Sequence, residues 1–244
     1  MFDFIFRNKE KETLPLPYST EIHAHVIPGV DDGSQKMETS LELITSLCEF
    51  GVKKLIATPH RTDETFENTP DIIEPIYQNL KAELRKNNIP IDLHYSFEYR
   101  MDEGFIALKD ANKLRPLDSK HILVENSFIQ PLWNLDELIF ELKLKGFIPI
   151  LAHPERYSYY HMNKKEYTHL HESECNFQVN ILSFAGCYGK TVQEVCYWLL
   201  EKGYVDYMGS DLHHMEHIKA IRHFLQSKHY KKLRSMLNIK NDAI

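Results

Sequence analysis

Glu21-Ile22-His23-Ala24-His25-Val26-Ile27-Pro28-Gly29-Val30-Asp31-Asp32-Gly33 reads as a short strand that runs into an acidic turn. Ile22, Ala24 and Val26 alternate with His23 and His25, the two-residue period of a strand. The spacing predicts His23 and His25 on one side and Ile22 and Ala24 on the other. Two imidazoles at i and i+2 on one strand face hold one metal ion without bending the backbone. Asp31-Asp32-Gly33 adds carboxylates in a turn, where the glycine relieves the backbone. A bare His-x-His is a weak signal, because short motifs recur by chance. Its weight depends on the rest of the chain.

The 244 residues are 43% hydrophobic and 26% charged, an ordinary globular balance. This length suits one α/β barrel or two small domains. No Gly/Ser/Pro-rich linker, low-complexity run or long repeat divides the chain. The expectation is one domain over 19–244 behind an N-terminal extension over 1–18. In that extension Leu14-Pro15-Leu16-Pro17 is expected to run extended on the outside of the body. A net charge of −6 with no basic stripe argues against a nucleic-acid surface. Cys48, Cys175, Cys187 and Cys196 form no Cys-x-x-Cys pair and read as buried thiols in a reducing compartment. The apolar opening at residues 1–6 is too short for a signal sequence, and no apolar run reaches the length of a membrane span. The expectation is a cytoplasmic protein with no direct membrane insertion.

Outward from the first strand, apolar runs predict further strands at about 52–58, 91–98, 121–125, 147–152, 176–179 and 205–210. Amphipathic segments predict helices at about 36–50, 70–88, 103–109, 134–145, 164–171 and 191–202, with one or two more to about 236. Ser34 is the expected N-cap of the first helix, and Gly51, Gly146 and Gly203 are expected to close their helices. Seven alternations of strand and helix imply parallel strands with crossover helices. A barrel of about seven units fits this length better than an open sheet.

The strand ends carry metal-ligand residue types: His23, His25 and Asp32, then His60, Glu98, Glu125, His153, and Asp211 with His213. Barrel enzymes build their sites at this C-terminal rim. Each residue alone has a plainer reading: His60 as a loop cap, Glu98 and Glu125 as solvated acids, Asp211 as a helix cap. Their coincidence at six strand ends weighs against that. His94, His161, His169, His171, His214, His217, His223 and His229 lack this context and read as surface or satisfied core histidines. Nine ligands are too many for one tetrahedral zinc and fit two or three divalent ions bridged by a carboxylate. Imidazole and oxygen donors without thiolate suit manganese, iron or zinc over copper. Such a site activates water and clamps a phosphoryl oxygen, so phosphate-ester hydrolysis is the expected reaction. Arg156, three residues after His153, is placed to stabilise phosphate charge, with Arg61 and Arg100 as further substrate-binding candidates. Asp211 and His213 stand with Arg156 as the catalytic candidates.

These residues, with Thr58-Pro59-His60, His153-Pro154-Glu155-Arg156 and Ser210-Asp211-Leu212-His213, resemble the PHP superfamily. Within it the chain is similar, from about 20 to 225, to the bacterial manganese-dependent tyrosine-protein phosphatases of capsule and exopolysaccharide clusters, the CpsB/YwqE type. The resemblance implies a distorted (β/α)7 barrel with a trinuclear site at the C-terminal ends of the strands. It assigns His23, His25, Glu98 and Asp211 to one ion. Glu125 and His153 go to a second that Glu98 bridges, and Asp32, His60 and His213 go to a third. Arg156 matches the family's phosphate-contacting arginine. A second arginine expected downstream of Asp-x-His has no match: Ile218 lies near that place, with Lys219 and Arg222 as substitutes. Arg61 stands where many relatives carry another histidine. The implied activity is dephosphorylation of phosphotyrosine on a membrane-associated capsule tyrosine kinase. The same site suits a small ester such as histidinol phosphate. A nucleic-acid 3′ end is disfavoured by the lack of a basic groove, and a non-catalytic regulatory module by the intact ligand set.

Overall fold

Strand and helix alternate through residues 13–244, the residues that this computed structural model describes. In chain order they are β1 (Thr20–Glu21), α1 (Met37–Glu49), β2 (Lys54–Ala57), β3 (His60–Arg61), α2 (Pro70–Lys86), β4 (Asp92–Tyr95), β5 (Glu98–Arg100), α3 (Glu103–Asp110), β6 (His121–Glu125) and α4 (Leu135–Leu144). There follow β7 (Ile148–Ala152), α5 (Ser158–His161), α6 (Lys165–Glu172), β8 (Asn176–Asn180), α7 (Ile181–Phe184), α8 (Lys190–Lys202), β9 (Tyr207–Gly209), α9 (Met215–Leu225) and α10 (Lys228–Arg234). Single 3-10 turns occupy Pro154–Arg156 and Asn241–Ala243.

All strand pairs are parallel, in two sheets ordered β1-β2-β4 and β3-β5-β6-β7-β8-β9. The sheets follow on from each other. β2 and β3 are one line interrupted at Thr58-Pro59, and β4 and β5 another interrupted at Ser96-Phe97. Backbone bonds from Ser96 N–H to Ala57 O (2.9 Å) and Glu98 N–H to Pro59 O (3.1 Å) carry the pairing across both breaks. Beyond β9, Asp211 N–H donates to His23 O (2.8 Å) and His25 N–H to Leu212 O (2.9 Å). Ile22, Ile56, Leu123, Ile150, Ala152 and Tyr207 come from strands far apart in sheet order, yet they form one buried cluster. That is possible only if the sheet curls around them. The larger core lies where the helices pack on the strands. Ile73, Tyr77, Leu80 and Leu84 of α2, for example, recur at the three- and four-residue steps of one buried helix face.

Several expectations change. The first strand is regular only over Thr20–Glu21, and Ile22 and Ala24 fall in different apolar clusters. The buried Glu21 carboxylate accepts the N–H groups of Ile22 and His23, both at 3.0 Å, so these amides are not free for a ladder. Ser34 does not cap α1; Lys36 holds that position without a side-chain bond, and Ser34 Oγ donates to Lys36 O instead. Gly51, Gly146 and Gly203 do close their helices, each at a positive φ that a side chain resists. Of the expected extension, residues 1–12 lie outside the described residues. Leu16 is buried rather than external, its N–H bonded to Phe50 O. Cys175 and Cys196 are buried, but Cys187 is exposed in the turn before α8.

Candidate metal centre

Nine side chains named from strand ends come together at one end of the curled sheet. In the inner group, His23 Nε2 lies 3.2 Å from Glu98 Oε2 and 3.4 Å from Asp211 Oδ1. His25 Nε2 lies 3.3 and 3.4 Å from the same two oxygens, and 3.3 Å from His23 Nε2. Four atoms at such separations surround a point about 2 Å from each, the ordinary metal–nitrogen and metal–oxygen distance. All four side chains are buried.

The partners behind the imidazoles fix which nitrogen faces inward. His23 Nδ1 meets Gln178 Oε1 at 2.6 Å, and His25 Nδ1 meets Asp31 Oδ2 at 2.7 Å. His213 Nδ1 meets the backbone O of Asp211 at 2.8 Å. Each acceptor takes the Nδ1 proton in a hydrogen bond and leaves Nε2 as the nitrogen that faces inward, the arrangement of a metal-ligating histidine. Glu98 is the hub. Its Oε2 lies 3.1 Å from His60 Nδ1 and its Oε1 3.0 Å from His153 Nε2, yet Oε2 is buried with no hydrogen-bond donor. An orphaned carboxylate oxygen ringed by imidazole nitrogens is a position that a cation would satisfy.

Two further groupings share these residues. His25, Asp32, His60 and His213 approach one another at the mouth, where the Asp32 carboxylate is 58% exposed. His60, Glu98 and Glu125 form the other. His153, which the family resemblance pairs with Glu98 and Glu125, is 3.7 Å from Glu125 Oε1.

Charge follows this geometry. Burial alone would lower the His23 pKa, but the Glu98 and Asp211 carboxylates overturn that and hold it at about 9. Burial and the Arg156 charge push His153 down to about 4, so it stays neutral. Burial and the charge of Glu98 raise Glu125 to about 8, against the pull of Arg100. Metal binding here therefore displaces protons.

Two of these residues sit on strained backbone. His153 (φ 34°) and Asp211 (φ 49°) are left-handed, a region that residues other than glycine resist. In a strand, His153 would point away from the side of Ala152, which lies in the inner cluster. The left-handed turn brings His153 to the same side, and Glu155 braces it by accepting from Asn180 N–H (2.9 Å) and Ser183 Oγ (2.6 Å). Gly33 is not at positive φ. A Cβ there would lie 2.3 Å from His25 O, so glycine is needed for close approach rather than backbone freedom.

Arg156 lines the cavity, which measures about 330 Å³. Its Nη1 donates to Asp211 Oδ2 at 2.8 Å, and the rings of Phe128 and Tyr188 lie 4.9 and 4.4 Å from the guanidinium carbon. Arg61 and Arg100 do not line this cavity. Arg100 Nε instead donates to Glu125 Oε2 at 2.9 Å. Neither proposed substitute for the missing arginine faces the site: Arg222 pairs with Glu49 and Lys219 with Glu216. Ile218 is buried. His214 and His217, read from sequence as ordinary histidines, line the cavity instead. Sequence reasoning also passed over Gln178 and Asn180. Asn180 Nδ2 donates to Asp211 Oδ2 (2.9 Å) and Gln178 Nε2 to Asn180 Oδ1 (2.8 Å). Their alternation with Phe177 and Val179 marks a strand with one polar, inward face. A larger groove of about 660 Å³, lined by Tyr197, Phe224 and Met236, holds none of the metal-ligand groupings.

A parallel α/β fold with convergent histidines and carboxylates at its strand ends defines a metal-site protein of the hydrolase type. The chain belongs to the CpsB/CapC family of capsular polysaccharide synthesis, whose family model matches residues 19–243. It is 30% identical over 197 residues to the tyrosine-protein phosphatase YwqE of Bacillus subtilis (strain 168), covering 80% of this chain and 78% of that one. It is 27% identical over 203 residues to the tyrosine-protein phosphatase CpsB of Streptococcus agalactiae, covering 80% and 83%. Among solved structures, a chain from the work on YwqE of B. subtilis and CpsB of Streptococcus pneumoniae, described as unique metal-dependent tyrosine phosphatases, superposes with a TM-score of 0.77. It is 26% identical and the match covers 91% of this chain and 96% of that one.

Proposed function

We propose that this chain is a metal-dependent phosphatase that removes phosphate from phosphotyrosine on proteins. The observation that carries this is the convergence of three imidazole nitrogens on the orphaned Glu98 Oε2, beside a guanidinium. His23, His25, Glu98 and Asp211 would hold one ion, Glu98, Glu125 and His153 a second, and Asp32, His60 and His213 a third. Manganese is the proposed ion, with iron or zinc also compatible with these donors. When bound, the ions would supply Lewis-acid charge to a phosphoryl oxygen and lower the pKa of an attacking water. Arg156 would grip the non-bridging oxygens, held in aim by Asp211 and its flanking rings. Relatives named tyrosine-protein phosphatases support the substrate class. The proposed partner is a membrane-associated capsule tyrosine kinase met in the cytoplasm. No helix among the described residues is long and apolar enough to cross a membrane. The bonds joining His23 and His25 to Asp211 and Leu212 support a closed, distorted (β/α)7 barrel.

The test is metal analysis of purified protein beside a substrate panel: a phosphotyrosine peptide, its phosphoserine counterpart, p-nitrophenyl phosphate and histidinol phosphate. Bound divalent metal and turnover led by the phosphotyrosine peptide are expected. Metal-replete protein inert toward that peptide would overturn the proposal.

A further inference from the structure

Phe128 stands out at the cavity. Apart from Phe128 and Tyr188, the lining side chains are charged or imidazole. Phe128 is 41% exposed, although the two residues before it are anchored. Asn126 N–H donates to Tyr157 Oη at 2.9 Å, and Tyr159 Oη donates to Ser127 O at 2.9 Å. Between these anchors and the site, the Phe128 ring stacks on His153 (centroids 5.6 Å apart, 18° between planes) and touches Tyr157. The same ring lies against the Arg156 guanidinium. It is therefore fixed beside both the metal-ligand cluster and the phosphate-facing cation, with much of its surface open. Packing on His153 and Tyr157 accounts for part of the ring, and the surface left open at a polar cavity gains nothing from burial.

We infer that Phe128 is a specificity-determining residue that takes the aryl ring of the substrate when the phosphoryl group meets Arg156 and the metal cluster. The inference rests on the phosphatase reading above and deepens it. A phosphate group is common to every candidate ester, so Arg156 and the metal ligands cannot tell an aromatic ester from an aliphatic one. The group that can is an aromatic surface one ring away from the phosphate. Aromatic pairs favour offset or edge contacts at about 4.5–7 Å between centroids, and one such contact changes affinity by about three- to tenfold.

The experiment compares competitive inhibition by phenylphosphonate and methylphosphonate in wild type, Phe128→Ala and Phe128→Trp, each assayed with p-nitrophenyl phosphate and checked for metal content. The two inhibitors share a headgroup and differ in the ring. Wild type should favour phenylphosphonate, Phe128→Ala should lose about three- to tenfold of that preference, and Phe128→Trp should keep it. If Phe128 merely props Arg156, Phe128→Ala weakens both inhibitors equally and leaves the ratio unchanged, which overturns the inference. A wild-type enzyme without phenyl preference also overturns it. Failure of wild type to hydrolyse any phosphate ester would instead sink the phosphatase reading itself.

Discussion

Arg156 and Asp211 share one carboxylate between two tasks. Arg156 Nη1 donates to Asp211 Oδ2 at 2.8 Å, while Asp211 Oδ1 faces the Nε2 atoms of His23 and His25 at 3.4 Å. The Arg156 guanidinium is thus aimed by a side chain that also belongs to the innermost candidate ligand group. Asn180 Nδ2 donates to the same Oδ2, so Asp211 keeps a partner when Arg156 is removed.

Arg156→Ala should therefore retain fold and metal while losing catalysis. Removing one donor to a developing anionic centre commonly costs ~10²–10³ in rate, or about 3–4 kcal/mol. Arg156→Lys should recover only part, because ammonium cannot make the two-pronged contact. Steady-state kinetics with p-nitrophenyl phosphate and metal analysis on the same preparations check this. An alanine variant with wild-type kcat/KM removes Arg156 from the mechanism.

Glu98→Gln should lose metal and activity together. Glu98 Oε2 lies within 3.1–3.3 Å of nitrogens from His23, His25 and His60, and an amide cannot replace its charge there. The measurement is bound metal per chain after purification in the presence of manganese. Full metal occupancy in this variant would show that Glu98 is not the shared ligand.

Much of this arrangement is legible in the sequence for a simple reason. Parallel strands with crossover helices bring corresponding positions to one rim, so His60 and Glu98, which follow the breaks after β2 and β4, become neighbours of Glu125 and His153 at the ends of β6 and β7 although all are far apart in the chain. Periodicity marks the helices because their buried faces repeat, as in α2. What alternation cannot give is the backbone that breaks it. The Glu21 carboxylate takes the amides after β1, and left-handed turns at His153 and Asp211 re-aim two side chains. Phe128 and Tyr188 reach Arg156 from loops, where no period operates. Lys219 and Arg222 look suitable by number but face Glu216 and Glu49, because an α9 residue's direction depends on how that helix packs.

No cysteine lines the metal cavity. Burial pushes the Cys175 thiol up to about 12, and Cys187, the exposed cysteine, lies outside the lining of the metal cavity. Alkylation of the native protein should modify Cys187 and leave turnover intact, whereas a chelator should abolish it. Loss of activity on alkylation with metal retained would contradict a metal-based mechanism.

Acid should loosen the floor of the fold through Asp206. Burial would raise this carboxyl, but bonds from His171, Lys240 and the Phe177 N–H hold its pKa below the ordinary value. A depressed folded pKa gives stability that is complete above the unfolded value of about 3.9 and is lost as pH falls through the folded one. Asp206→Asn should therefore be less stable than wild type at about pH 5, and the margin should shrink below about pH 4. Urea titrations across that range measure it. A margin independent of pH would mean that the Asp206 charge contributes nothing to folding.

Asp31 tests whether the residues behind the ligands matter as much as the ligands. Its Oδ2 accepts from His25 Nδ1 at 2.7 Å and from the His60 N–H at 3.0 Å, and its Oδ1 accepts from the Gly33 N–H. Burial works against its charge, but the His25 partner wins and holds its pKa at about 2, so it remains a carboxylate. That charge keeps the His25 proton on Nδ1 and frees Nε2 toward Glu98 and Asp211. In Asp31→Asn the amide can turn an N–H toward Nδ1, which would place the proton on Nε2, aimed into the ligand cluster. Metal affinity should then fall ~10–100-fold, with the fold unchanged. Titrating manganese into chelator-stripped protein, with circular dichroism on the same samples, reads both quantities. Unaltered affinity would mean that His25 holds its tautomer without Asp31, and that this carboxylate serves only the turn through Gly33.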